Sequence, residues 1–256
     1  VEALARRIVR LAVGLGELEL RVAYLRALIA EHELAPLARA LDLVAASSEL
    51  GEPDARDTVA AVVSALAHPS LAATAQRLRE EAVGESLVAL ERMLRRPPAS
   101  LRPSRPPSSR GIASAADGRP LTLGERKALA RRPDRGALER LAADPHPDVV
   151  RQVLRNPRLT EDDVVRLAAK RPAHADVLAE IARSVRWMSR PRVRMALVLN
   201  PDTPQELAAP ICGMLLRHEL KLVVEMTHVP PAVRALCYEH LTRRVPRPRA
   251  PKDIVH

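Results

Sequence analysis

A phrase that occurs twice constrains this chain more than any other feature. The run from Pro147 to Pro157 carries Asp148, Val149, Val150, Arg151, Val153, Leu154 and Asn156, and Pro191 to Pro201 repeats the pattern with Val193, Arg194, Leu197, Leu199 and Asn200. A fainter third copy, Pro231-Ala232-Val233-Arg234-Ala235-Leu236, follows. Repetition at roughly 40 residues is what a stack of helical units produces, because each unit buries its apolar flank only against the next.

A second marker gives the same interval. Three threonines stand three residues ahead of an acid: Thr122 with Glu125, Thr160 with Asp163 and Thr203 with Glu206. A hydroxyl at a helix cap accepts an otherwise unbonded amide hydrogen, and an acid three residues on reaches back to the cap amide. The threonines lie 38 and 43 residues apart, and Arg151, Arg194 and Arg234 lie 43 and 40 apart. Each unit reads as three helices, the third begun by proline, where the missing donor costs nothing. The predicted spans are 123–131, 136–143 and 147–155 in the first unit, 161–170, 175–185 and 191–199 in the second, and 204–217, 220–226 and 230–241 in the third.

Residues 1–96 read as a separate bundle of about six amphipathic helices, over 2–13, 17–31, 36–46, 54–67, 71–82 and 85–95, punctuated by Gly14, Gly16, Gly51, Pro53, Pro69 and Gly84. Between the halves, residues 97–120 are rich in Pro, Ser and Arg, the composition of a solvated linker. Its Ser104, Ser108 and Ser109 beside Arg102, Arg105 and Arg110 offer a modification target or basic arm as the minor alternative to a plain tether. Residues 245–256 repeat the Pro and Arg enrichment and read as a disordered basic tail. The expected architecture is therefore all-α: a helical bundle (1–96) joined by a Pro-rich linker (97–120) to a short right-handed α-solenoid of three repeats of about 40 residues (121–244).

Charge is unevenly placed. Of the formal net +10, residues 1–96 contribute −2, residues 97–120 contribute +3 and residues 121–256 contribute +9. A basic half of this kind attracts anionic partners by a long-range field that salt weakens. Aromatic residues make up 1% of the chain, with no Phe and one Trp, which leaves little for base stacking or an aromatic cage. Cys212 and Cys237 have no ligand-like spacing and read as buried thiols. The first residues are threaded with Glu2, Arg6, Arg7 and Arg10, unlike a signal peptide, and no uncharged apolar run of about 18 residues occurs. A cytoplasmic protein without membrane insertion is the expectation.

At the repeats, the chain resembles the HEAT and armadillo class of α-solenoids, and within it the leucine-rich repeat variant proteins. Asp144-Pro145-His146-Pro147-Asp148-Val149-Val150-Arg151 is similar to the Asp-Pro turn and Val-Arg helix start of HEAT-like repeats. Asn156-Pro157-Arg158-Leu159-Thr160 and Asn200-Pro201-Asp202-Thr203 are similar to the Asn-Pro-x-Thr turn of the variant repeats. The resemblance covers roughly residues 120–241 and implies a stacked helical fold that binds other molecules, without specifying which. The variant-repeat prototype is associated with an iron–sulfur cluster on a cysteine-rich segment; this chain lacks those cysteines, so no cofactor is expected.

The candidate partner-binding segment holds Arg183, Arg186, Trp187, Arg190, Arg192 and Arg194, guanidiniums around the one indole, an arrangement able to grip phosphates and stack a base. The plainer reading has Trp187 plugging a helix junction among solvated arginines. Arg131, Arg132, Arg135, Arg155 and Arg158 extend a positive face if they align. Arg151, Arg194 and Arg234 are read as inter-unit ties to an acid or carbonyl, with Asp148, Asp163 or Glu206 as acids, and Asn156 and Asn200 as turn residues. Glu161-Asp162-Asp163 is explained by helix capping without metal chemistry, and the histidines lack metal-ligand spacing. With no catalytic signature, the leading expectation is a non-enzymatic scaffold or adaptor for another macromolecule, most simply a protein. The alternative is a nucleic-acid-binding protein using the Arg-rich half, with a HEAT-like DNA glycosylase remote for want of aromatics. The two leading readings separate on whether the arginines form one unpaired stripe or pair with acids and scatter.

Overall fold

In the computed structural model, residues 1–95, 112–114, 118–142 and 144–243 are described. Among them the chain is all-helical, with sixteen α-helices and no strand, as the periodicity predicts. The first half contains α1 (Glu2–Gly14), α2 (Leu18–Glu31), α3 (Leu34–Glu49), α4 (Pro53–Leu66), a 3₁₀ turn at Pro69–Leu71, α5 (Ala72–Gly84) and α6 (Val88–Leu94). The second contains α7 (Leu123–Arg131), α8 (Arg135–Leu141), α9 (Pro147–Arg155), α10 (Glu161–Ala169), α11 (Ala175–Arg183), α12 (Val185–Met188), α13 (Pro191–Leu199), α14 (Gln205–Met214), α15 (Arg217–Glu225) and α16 (Pro231–Arg243). Most of the residues read as linker, and the whole basic tail, lie outside the described residues. No single described helix is long and apolar enough to cross a membrane.

Helix starts in the second half follow local chemistry. At α7 the Thr122 hydroxyl accepts the Glu125 amide at 3.3 Å while the Glu125 carboxylate accepts the Thr122 amide at 2.8 Å. At α10 Thr160 and Asp163 make the same exchange at 3.3 and 3.0 Å. Thr203 does not. It is buried, its hydroxyl donates to the Leu197 carbonyl at 2.6 Å, and α14 starts one residue later, capped by Pro204.

The most regular feature is the side chain of the Asn-Pro turn. Asn156 is 2% exposed; its amide donates to the carbonyls of Ala130 and Arg132, both at 2.8 Å, and its oxygen accepts the Arg158 amide at 2.9 Å. Asn200 is 1% exposed and repeats this on Ala168 (2.7 Å), Lys170 (3.0 Å) and the Asp202 amide (3.0 Å). The last carbonyls of a helix have no intrahelical donor. Each asparagine therefore closes the end of an earlier helix, α7 or α10, while holding its own turn in shape. With that end fixed, α7 lies against α9 and α10 against α13, and α9 meets α11 of the following unit.

This correspondence also sets the true register. Asn156 and Asn200 are 44 residues apart, one more than Arg151 and Arg194. Counting from the helix caps, the amides of Val150, Arg194 and Arg234 make the same bond, to the carbonyls of His146, Arg190 and Pro230. Arg194 and Arg234 are thus equivalent to one another and to the core residue Val150, and Arg151 is not. One residue is about 100° around a helix, so Arg151 points elsewhere. It reaches across to Glu180 and back to Asp148. Arg194 is half-buried and donates to the carbonyls of Met188 and Ser189 at 2.8 and 3.3 Å. Arg194 and Arg234 share one further trait, a buried Nε with no hydrogen-bond partner among the described residues. The inferred three-arginine ladder of equivalent ties is therefore corrected to two equivalent arginines and one offset by a residue.

The two halves share one apolar cluster, running from Ile8 and Leu41 through Leu90 to Ile211 and Cys237. α2 and α4 pack against α12, and α4 and α6 against α14. Polar ties reinforce the contact. Arg92 of α6 grips Glu49 of α3 through Nε and Nη2, with His240 of α16 beside Glu49 at 3.9 Å, and Arg95 reaches Glu239 at 3.1 Å. The Cys212 and Cys237 sulfurs, both buried thiols, are 3.4 Å apart between α14 and α16.

Because each asparagine closes one buried and one part-buried carbonyl, at a cost of about 1–3 kcal/mol for a buried group left unpaired, Asn156→Ala or Asn200→Ala is expected to lower stability by about 1–3 kcal/mol. Chemical denaturation followed by circular dichroism checks this. A loss near 0.5 kcal/mol, typical of an exposed substitution, would show that the asparagines do not hold the helix ends.

Candidate functional site

The arginine-rich segment folds into three different environments because the chain breaks at Ser184. The expected helix over 175–185 ends at Arg183, and the short α12 follows at an angle set by the extended Ser184. Trp187 is 3% exposed, and its indole N–H donates to the Leu154 carbonyl at 2.8 Å. The ring plugs the junction of α9 and α12, with the Arg186 guanidinium over it at 4.4 Å. A base has no face of this ring to stack on.

The arginines divide accordingly. Arg183 donates to Glu180 at 3.0 Å, Arg186 to the Asn156 carbonyl at 3.3 Å, and Arg192 pairs with Asp162 at 2.6 Å. Arg194 turns inward onto carbonyls, and Arg190 is exposed with no partner among the described residues. Of the arginines proposed to extend the face, Arg131 donates to Gln152 and Arg135 binds both Asp163 and Glu139. Arg132, Arg155 and Arg158 are exposed and without partners among the described residues. Among the described residues these arginines form no single unpaired stripe.

The acids explain much of this pairing. Asp163 at once caps α10, takes both terminal nitrogens of Arg135 from the preceding unit and accepts Arg166. Arg135 foremost, with Thr160 and Arg166, holds its carboxyl well below the usual range. Arg119 and the Thr122 cap lower Glu125 to about 2. Glu180, 6% exposed, accepts Arg151 through two bonds of 2.8 Å and Arg183 through a third. Burial is the largest single influence on it and pushes its pKa up; the two arginines together outweigh burial and hold it below the ordinary value. Arg126 and Asp144 make a further buried pair at 2.6 Å, with the Asp-Pro turn's carboxylate also accepting the His146 amide.

One concave surface stays cationic after this accounting. Two adjoining hollows, about 380 and 470 Å³, share Leu154, Arg155, Arg183 and Ser184 as common walls. The first is closed by Glu19, Val22, Ala23 and Arg26 of α2 and by Val185 and Arg186; the second by Ala67, Pro69, Arg151 and Glu180. Arg155 and Arg183 are the last residues of α9 and α11, where a cation offsets the helix dipole. Arg26, mid-helix in the other half, has no such role and no partner among the described residues. Sequence reasoning selected Arg183 and Arg186 and missed Arg26 and Glu180, about 160 and a few residues away, because nothing local marks which helices meet. Among the described residues no three His, Cys, Asp or Glu side chains gather as a metal site.

Glu125, Asp163 and Glu180 bind protons less readily folded than unfolded, so the unfolded chain holds more protons across the acid range and folding weakens as pH falls. Their contribution is present above about pH 4.5 and is lost on descending toward about pH 2, the window marked by Glu125. Denaturation midpoints measured from pH 7 to 2 are expected to fall within it, and Asp163→Asn to lie below wild type at pH 7 with the gap closing in acid. A gap independent of pH would remove the Asp163–Arg135 pairing as its cause. In comparisons with known protein families, curated proteins and solved structures, the chain matches none.

Proposed function

We propose that the chain is a non-enzymatic helical-repeat scaffold or adaptor: a short right-handed α-solenoid of three units of about 40 residues, backed by the N-terminal bundle and binding a protein partner through its surface. In favour of stacked units are the paired Asn156 and Asn200 anchors, the matching caps at Thr122 and Thr160, and the recurrent packing of first helix on third. The observation that carries the choice of partner is the engagement of the arginines: Arg135, Arg151, Arg183 and Arg192 each face an acid, Arg194 is turned onto carbonyls, and the one indole is buried. A nucleic-acid groove needs guanidiniums free for successive phosphates and flat rings for bases, and this segment leaves Arg190 alone without a partner among the described residues and buries its indole.

The competing reading is tested directly. At about 150 mM salt, where the field of a merely basic surface is screened, duplex DNA and single-stranded RNA are expected to give no saturable complex by fluorescence anisotropy. Affinity capture after nuclease digestion is expected to retain protein partners. A saturable complex that weakens steeply with salt and is lost in Arg190→Ala/Arg192→Ala would replace the adaptor by a nucleic-acid binder.

A further inference from the structure

We propose that the double hollow between α2 and the α9–α11–α12 junction is the docking trough for an acidic peptide segment of a partner protein, with carboxylates of that segment received by Arg26 and Arg155, beside Arg183 and Arg186. The inference rests on the adaptor reading and assigns it a place and a chemistry.

Charge is the first ground. Five arginines and two glutamates line the two hollows. Glu180 is 6% exposed and taken up by Arg151 and Arg183, and the exposed Glu19 is outnumbered by Arg26, Arg155 and Arg186 around the first hollow, so the net charge presented to a ligand is positive. Arg26 and Arg155 have no partner among the described residues although residues from separate halves of the chain bring them to one hollow. Guanidiniums offer paired, coplanar donors that match a carboxylate.

Shape and wall chemistry favour a peptide over a nucleic acid. Val22, Ala23, Leu154 and Val185 give the first hollow aliphatic walls, which accommodate small apolar side chains between acids and offer a base nothing flat to stack on. The volumes fall within the range of about 300–1,000 Å³ that holds small ligands or a few side chains.

The test uses the full chain and a labelled peptide of about ten residues alternating Glu and Ala, with oligothymidylate of equal charge as the second probe. At about 50 mM salt, where a surface field still acts over more than 10 Å, the peptide is expected to bind saturably, and Arg26→Ala/Arg155→Ala to weaken it about fivefold or more. The charge-matched control Arg132→Ala/Arg190→Ala, outside the trough and equally unpartnered, is expected to bind within about twofold of wild type. None of the four side chains has a structural partner, so both variants keep the fold, checked by circular dichroism. Unlabelled peptide is expected to shift the emission of Trp187, because Arg186 lies on its ring. Equal losses in both variants, or no peptide binding, would overturn the trough while leaving the adaptor reading standing. Tighter binding of the oligonucleotide that is lost in the trough variant would overturn both.

Discussion

The ordered helix ends of the second half depend on two amide side chains, Asn156 and Asn200, each reaching back to the end of an earlier helix. An asparagine has two donors and an acceptor within a few ångströms, and in Asn156 and Asn200 all three are used at once. Two donors close the carbonyls at the end of α7 or α10, and the acceptor shapes the turn that starts the next unit. Aspartate has the shape without the donors, and glutamine has the donors on a longer stem, so neither can stand in. The consequence is mechanical: the first helix of a unit, the end of its third helix and the entry to the next unit are tied at one buried point. Small aliphatic side chains then pack around a frame already fixed in angle.

Charged groups refine this frame instead of building it. Asp163 serves as cap, as tie to the preceding unit through Arg135 and as partner of Arg166, and Glu180 joins α9 to α11 through Arg151. Exposed pairs of this kind contribute little individually, but Glu180 and Asp144 are buried, where removal of one partner leaves an uncompensated charge. The basic chain is thereby quiet over much of its surface. Two of the arginines that stay without a partner among the described residues, Arg26 and Arg155, come from different halves and meet in one hollow.

Local chemistry was legible where a single residue decides the structure. Proline and threonine marked the start of α7, α9, α10 and α13, and the spans 123–131, 147–155 and 191–199 match the helices found. Reading failed where two positions compete. Thr203 carries the capping signature, but the Asn200 turn places Pro204 at the cap, so the hydroxyl turns back to Leu197. The Val-Arg phrase suggested a register one residue short of the true one, which the turn asparagines set. The break at Ser184 has neither glycine nor proline to announce it, and its cause is tertiary: Trp187 must reach the Leu154 carbonyl. The site was half legible for the same reason. Arg183 and Arg186 stood out as a cluster, whereas Arg26 becomes a neighbour only through packing that no local pattern encodes.

The contact between halves carries a topological corollary. Arg95, just after α6, pairs with Glu239 of α16, while α4 and α6 lie on α14 and α2 on α12. Residues far apart in sequence thus share one seam, so a change of side-chain volume on either face of it is felt by both halves.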